Sequence, residues 1–338
     1  MDTINELAAD ERTARVILAI ASEPGDSVTG RMLRTVGASE TVAQAVAEEV
    51  PVGPDGDTWQ RRLAPRINAA QVQRVLADTE RHEMRVLIPG DKEWPGGINA
   101  LGDRAPVALW ARGDTGLLTS PMWDRLTVTG ARAATGYGEH VTTALVESAV
   151  ADSRTVLSGG AYGIDAAAHR AALASDGSTI AVLAGGLDRP YPVGHTDLLA
   201  RTAQDGLLLS ELPPGAAPTR WRFLQRSRLL AALSGTVLIP EAGYRSGSLH
   251  TAAHAIDLGR PVGAIPGPLT SAASAGCHRI LRDGLGSIIT GYDDVRELLH
   301  SVRDGAHRRV RERAGLEADP LDQEPPGTGG RASNAPGL

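Results

Sequence analysis

Residues 155–174 read TVLSGGAYGIDAAAHRAALA. Thr155 to Leu157 is a short apolar run of strand composition. Ser158 to Asp165 is a turn with glycine at 159, 160 and 163, and it opens a helix over Ile164 to Ala174. This strand–glycine turn–helix unit recurs on both sides. Strands are predicted at Leu126 to Thr129, Thr179 to Leu183, Leu207 to Leu209, Thr236 to Ile239, Val262 to Ile265 and Ser287 to Ile289. The remaining helices are predicted at Gly138 to Ala151, His195 to Gln204, Trp221 to Leu233, Ser248 to Leu258, Cys277 to Leu281 and Tyr292 to His300. Short apolar strands alternating with amphipathic helices specify βαβ units, a parallel sheet and right-handed crossovers. The predicted fold class is therefore α/β, an extended Rossmann-like domain over residues 83–300. Arg85 to Ile88 and Val107 to Arg112 read as further strands, a lead-in to that domain.

Residues 1–82 read as a small helical module with a linker near 51–57. Its helices are Arg15 to Ala21, Gly30 to Thr35 and Glu40 to Glu49, with Ser39 as N-cap of the last, then Trp59 to Glu83. The Gly37-Ala38-Ser39 turn between short helices resembles a SAM-like or helix-hairpin-helix module, a DNA contact or a packing unit, although no glycine hairpin lies between basic residues. Residues 301–338 read as an Arg-rich piece (Arg303, Arg308, Arg309, Arg311, Arg313) followed by a disordered tail ending in proline and glycine.

Apolar residues make up 42% of the 338 and aromatics only 3%, so the core is built from Ala, Val, Leu and Ile. A net charge of −6 carries no overall basic signature, and nucleic-acid binding would need a local patch. Lys92 is the only lysine; arginine carries the rest of the positive charge and suits bidentate phosphate contacts. With Cys277 alone, no internal disulfide or cysteine-cluster zinc site can form. The polar N-terminus is no signal peptide, no apolar run spans a bilayer, and a cytoplasmic protein without membrane contact is expected.

Ligands of a parallel α/β sheet sit beyond the carboxyl ends of its strands. There the sequence places Gly130-Ala131-Arg132, then Ser158 to Asp165, Gly185-Gly186-Leu187-Asp188, Ser210-Glu211, Glu241 with Arg245-Ser246-Gly247-Ser248, and Pro266-Gly267. Ser158 to Ile164 and Ser246 to Ser248 have the form of anion nests at helix starts. The spacing G-G-x-x-G is not a dinucleotide fingerprint and there is no Walker A lysine, so no cofactor is expected. Arg220, Arg222, Arg226 and Arg228 interleave with Trp221 and Phe223. Alone this is a solvated helix face; directly after a strand and loop on the binding edge it reads as a single-strand platform. Asp165 and His169 read as a helix-start brace, Ser158 and Ser248 lack a His/Asp partner, and neither catalytic groups nor metal ligands are expected. Cys277 reads as a packing residue.

The ordered motifs SGGAYGIDAAAH (158–169), Gly186-Leu187-Asp188 with Tyr191-Pro192, Ser210-Glu211, Phe223, Arg226 with Arg228, Ser246-Gly247-Ser248, Pro266-Gly267 and Arg282-Asp283-Gly284 resemble the DNA-processing protein A (DprA/Smf) family over roughly Trp94 to His300. The resemblance implies an extended Rossmann fold, a homodimer, single-stranded DNA binding and loading of a RecA-type recombinase in natural transformation, without catalysis. It makes Arg132 a phosphate contact, and Arg220 and Phe223 the basic and aromatic holders of the strand. The binding set is then Gly130, Arg132, Ser158, Gly159, Gly160, Gly163, Ile164, Arg220, Arg222, Phe223, Arg226, Arg228, Ser246, Gly247 and Ser248. The chain departs from the family pattern at Thr129 and Ala131 (usually V-G-[ST]-R), Tyr162, Ser227 (usually Asn) and His278 (usually Asn), and no C-terminal winged helix is expected. The alternative is a nucleotide sensor or nucleotide phosphoribohydrolase, whose P-G-G-x-G-T-x-x-E signature is replaced here by Pro240 to Ser248 without the glycine pair or the final acid. A dehydrogenase has the wrong glycine spacing.

Overall fold

The computed structural model describes residues 3–48 and 55–313; residues 51–54 of the expected linker and 314–338 of the expected tail lie outside it. Among the described residues nine strands form one sheet: β1 (Arg85–Leu87), β2 (Leu109–Gly113), β3 (Arg125–Val128), β4 (Thr155–Ser158), β5 (Thr179–Leu183), β6 (Leu207–Ser210), β7 (Thr236–Ile239), β8 (Val262–Ala264) and β9 (Ser287–Ile288). Their spatial order is β1-β2-β6-β5-β4-β3-β7-β8-β9. From β6 to β9 all pairs are parallel, while the two lead-in strands run antiparallel at one edge. The chain steps outward from β3 through β4 and β5 to β6, then returns to pair β7 with the other side of β3. The β3–β7 junction is thus the topological switch point, where such sheets open a crevice.

Strands β3 to β7 are buried along their whole length, as their unalternating apolar runs require of a sheet covered on both faces. The N-terminal helices are α1 (Ile4–Leu7), α2 (Glu11–Ala21), α3 (Ser27–Val36), α4 (Ala38–Val46), α5 (Gly56–Leu63) and α6 (Ala69–Arg81). The later ones are α7 (Gly136–Ala151), α8 (Ile164–Ala174), α9 (Thr196–Asp205), α10 (Arg220–Leu233), α11 (Ser248–Asp257), α12 (Ala275–Arg282) and α13 (Tyr292–Arg313). Helices α7, α8 and α13 share a core with Leu126, Val128 and Val156 on one face. Helix α10 packs on Leu157, Ile180, Val182 and Leu209 of the other, and α11 and α12 continue that layer over β7 and β8.

Several local expectations are corrected. Gly37, at φ 84°, precedes α4 instead of Ser39, which lies inside the helix. The span Trp59 to Glu83 is two helices, broken where Pro65 enters a short 3-10 turn and Asn68 caps α6 through the Gln71 N–H. Helix α13 continues past His300 to Arg313, with Val302 still buried two residues beyond the expected end.

The N-terminal helices share one core with the sheet: Ile17, Leu18, Trp59 and Val72 cluster with Trp110, Ala181, Leu183 and Leu208. Polar contacts fix the join. Arg12 forms a two-pronged bond to Asp91, and Trp110 Nε1 donates to Thr79. Gly30 lies so close to the Asp103 carbonyl that a Cβ would fall 1.9 Å from its oxygen.

Candidate nucleic-acid interface

Three loops meet at the switch point. The Ala131 N–H donates to the Glu241 carbonyl (2.7 Å), and the Ile164 N–H donates to the Ala131 carbonyl (3.1 Å), tying the segments after β3, β4 and β7 together. The closeness demands glycine. A Cβ on Gly130 would lie 2.5 Å from the Glu241 carbonyl oxygen, and one on Gly163, at φ +74°, 2.2 Å from that of Ala131.

Two of the chain's own carboxylates then occupy anion positions, one of them in the turn expected to hold an outside anion. Buried Asp165 accepts from the Thr129 hydroxyl (2.7 Å) and the Ala161 N–H (3.2 Å). Buried Glu241 accepts from the Thr135 N–H (2.8 Å) and hydroxyl (2.7 Å) at the start of α7. The turn over Ser158 to Ile164 is corrected accordingly from an open anion nest to an internally satisfied one. The Ser158 hydroxyl is spent on the Val128 carbonyl (2.6 Å), and the Ile164 N–H on Ala131. Gly159 leaves space for the Arg226 guanidinium, which donates to the Gly159 carbonyl; a Cβ there would sit 2.5 Å from the guanidinium carbon. Gly160 takes φ +70° and presents its carbonyl to His195 Nδ1 (3.1 Å).

Beside this ledge opens a cleft of about 660 Å3. Of the expected residues it brings together Gly130, Arg132, Arg220, Phe223, Arg226, Ser246, Gly247 and Ser248. Arg132 is exposed, and its guanidinium carbon lies 4.9 Å from the Phe223 ring centroid; that of Arg226 lies 5.3 Å from it. Burial lowers the Arg226 pKa from the usual arginine value, Arg132 adds to that, and Asp165 opposes it. Arg220 stands in the first turn of α10 with no acid in that turn, an arrangement that the helix dipole disfavours until an anion arrives. The expected nest at Ser246 to Ser248 is likewise filled from within: Ser246 and Ser248 share a hydroxyl hydrogen bond (2.8 Å), the Ser248 N–H donates to the Ser246 hydroxyl (3.4 Å), and the Leu249 and His250 N–H groups donate to the Ser246 and Gly247 carbonyls (3.2 and 3.1 Å).

Two expected arginines are corrected. Arg228 is fully buried and bonds both oxygens of Glu211 (2.7 and 2.6 Å) and the Arg104 carbonyl (3.0 Å), so it cannot reach a ligand. Arg222 turns to Glu23 of the N-terminal helices (3.1 and 3.2 Å) and to the Ala217 carbonyl (2.8 Å), outside the cleft lining. A helix places residues 226 and 228 on different sides, which a count of arginines does not register. Arg245, His250 and Thr251 also line the cleft; their signal was adjacency to the Ser246–Ser248 turn.

Asp165 and His169 do not bond each other as a brace; His169 Nδ1 pairs with the Thr179 hydroxyl (2.8 Å). Burial pushes His169 down to about 4, with Asp165 opposing and His195 and Arg226 reinforcing the shift. Cys277 is buried, and burial raises its thiol to about 11, in keeping with packing.

The family model described as DNA recombination-mediator protein A matches residues 85–300. A Mycobacterium tuberculosis protein named "Putative DNA processing protein DprA" is 42% identical over 314 residues, covering 89% of this chain and 78% of its own. The DNA processing protein DprA of Bacillus subtilis is 30% identical over 82% of this chain and 87% of its own. The X-ray structure of DNA processing protein A from Streptococcus pneumoniae matches with a TM-score of 0.69 and 27% identity, over 88% of this chain and 98% of that one. DNA processing protein A from Helicobacter pylori, described for its single-stranded DNA binding mode, matches with a TM-score of 0.58 and 30% identity over 66% and 97%.

Proposed function

The chain belongs to the DNA recombination-mediator protein A family, and from that premise we propose that it binds single-stranded DNA in the switch-point cleft and serves recombination and natural transformation. The observation that carries the reading is the stack of Arg132 on Phe223 beside Arg220, an aromatic and two cations at the mouth of one cleft. Phosphates go to Arg132, Arg220 and Arg245, and a base goes to Phe223. The Helicobacter relative supports it.

The role is binding, not catalysis. Asp165 is the carboxylate among the described lining residues, and its oxygens are engaged by Thr129 and Ala161. As a recombination mediator the protein loads a RecA-type recombinase in the cytoplasm. It does so as a homodimer through the sheet edge at β9, where Ile256, Leu285 and Ile288 are 37%, 45% and 57% exposed.

Fluorescence anisotropy with a short oligothymidine and the matching duplex tests the reading. Preferential binding of the single strand, weakened steeply by salt, is expected. Absence of binding at low salt refutes it, and base release from AMP would favour a phosphoribohydrolase instead.

A further inference from the structure

We infer that Tyr162 and Tyr191 form a second base-binding wall, which carries a DNA single strand out of the cleft across the loops after β4 and β5. The inference rests on the single-strand reading above and extends it to residues outside the cleft lining.

Tyr162 and Tyr191 are 48% and 49% exposed, although tyrosine rings ordinarily bury their apolar faces. Each is fixed by one edge-to-face contact. Tyr162 meets His195 at 4.4 Å and 63°, and His195 is itself buried and held by the Gly160 carbonyl. Tyr191 meets Phe223 at 5.9 Å and 65°. Such a contact engages at most one face of a ring, so each tyrosine keeps another face for a ligand. Among the described residues neither hydroxyl makes a hydrogen bond, so the rings are held by packing alone.

The wall is continuous with the cleft. Phe223 lines the cleft on one side and, with Tyr191 and Pro218, a small crevice on the other. Tyr162 in turn packs against Gly194, three residues beyond Tyr191. Charge selects the occupant. Arg189, two residues before Tyr191, is 91% exposed, with Asp188 at 3.8 Å. Together with Arg132 and Arg220 it puts cations along the rings, which suits a strand that carries one phosphate per base better than an apolar peptide.

The test compares oligothymidine with an abasic strand of equal length and charge, on the full chain. Tyr162→Ala and Tyr191→Ala should each weaken oligothymidine binding about 5- to 150-fold, the range for losing one base–aromatic stack. Affinity for the abasic strand and the salt slope should stay at wild-type values, and Tyr191→Phe should bind like wild type. Tyr162 does not touch Phe223, so its variant answers even if Tyr191→Ala loosens that ring. Equal losses on both strands, or no loss from Tyr162→Ala in a chain that melts like wild type, overturn the wall. Wild-type protein that binds neither strand overturns the single-strand reading itself, and the wall with it.

Discussion

Arg228→Ala separates the two roles that four closely spaced arginines suggest. In the structure Arg228 and Glu211 are 1% and 9% exposed and share two short hydrogen bonds, with Arg228 Nε also bound to the Arg104 carbonyl. Removing the guanidinium strands a buried carboxylate, a change that costs about 3–5 kcal/mol. At about 2.1 cal/mol/K of unfolding entropy per residue, a chain of 338 residues loses about 1.4 °C of Tm per kcal/mol, so the melting temperature should fall by about 4–7 °C. The pair is not valuable for its charge as such, so Arg228→Met combined with Glu211→Leu should recover most of the loss. Thermal unfolding followed by circular dichroism reads the stability. Anisotropy titrations well below the variant's Tm read the DNA. Because no phosphate contact is removed, the slope of log affinity against log salt should equal that of wild type. An unchanged Tm with a slope reduced by about 0.7, the share of one phosphate on a single strand, would refute the assignment and return Arg228 to the binding surface.

Arg132→Ala and Arg220→Ala should do the reverse, leaving Tm nearly unchanged while each lowers the salt slope by about 0.7. Gly163→Ala forces a Cβ to within 2.2 Å of the Ala131 carbonyl at φ +74°, and should destabilise by more than the ~1 kcal/mol of a simple left-handed penalty; a urea midpoint like wild type would contradict the three-loop junction. His169 should make stability fall in acid. The unfolded chain takes up a proton near pH 6.5 that the folded chain refuses until about 4, so stability declines as pH drops through that window. The decline approaches about 3 kcal/mol at its foot. His169→Gln should lose correspondingly less between pH 6.5 and 4 in urea titrations, and identical pH profiles would show that His169 is not held neutral.

The positions of the strands along the chain were legible because a fully covered parallel sheet leaves unbroken apolar runs, while their order in the sheet was not. Thr179 to Leu183 and Thr236 to Ile239 have the predicted bounds. The antiparallel entry of β1 and β2 was not, since periodicity reports burial and not direction. In the candidate site, glycine positions were legible but their purpose was not. Gly130, Gly159 and Gly163 were read as openings for an outside phosphate, yet the groups that fill their missing Cβ volumes are Glu241, Arg226 and Ala131. Separating the two uses needs the distance between loops far apart in sequence, which no local spacing encodes. The same holds for Arg222 and Arg228, whose partners Glu23 and Glu211 lie 199 and 17 residues away.

This internal filling bears on what kind of ligand fits. A dinucleotide site concentrates its donors on one pyrophosphate at the first strand–helix turn of the switch point. Here the start of α7, which follows β3, already receives the Glu241 carboxylate, and the turn after β4 receives that of Asp165. What remains for an external anion is distributed: Arg132 on Phe223, Arg220 at the start of α10, and Arg245 before α11. Separated single-anion positions beside an aromatic ring suit a chain of spaced phosphates and bases. The chain's own carboxylates thus turn a sheet edge that favours one clustered diphosphate into one that favours a strand.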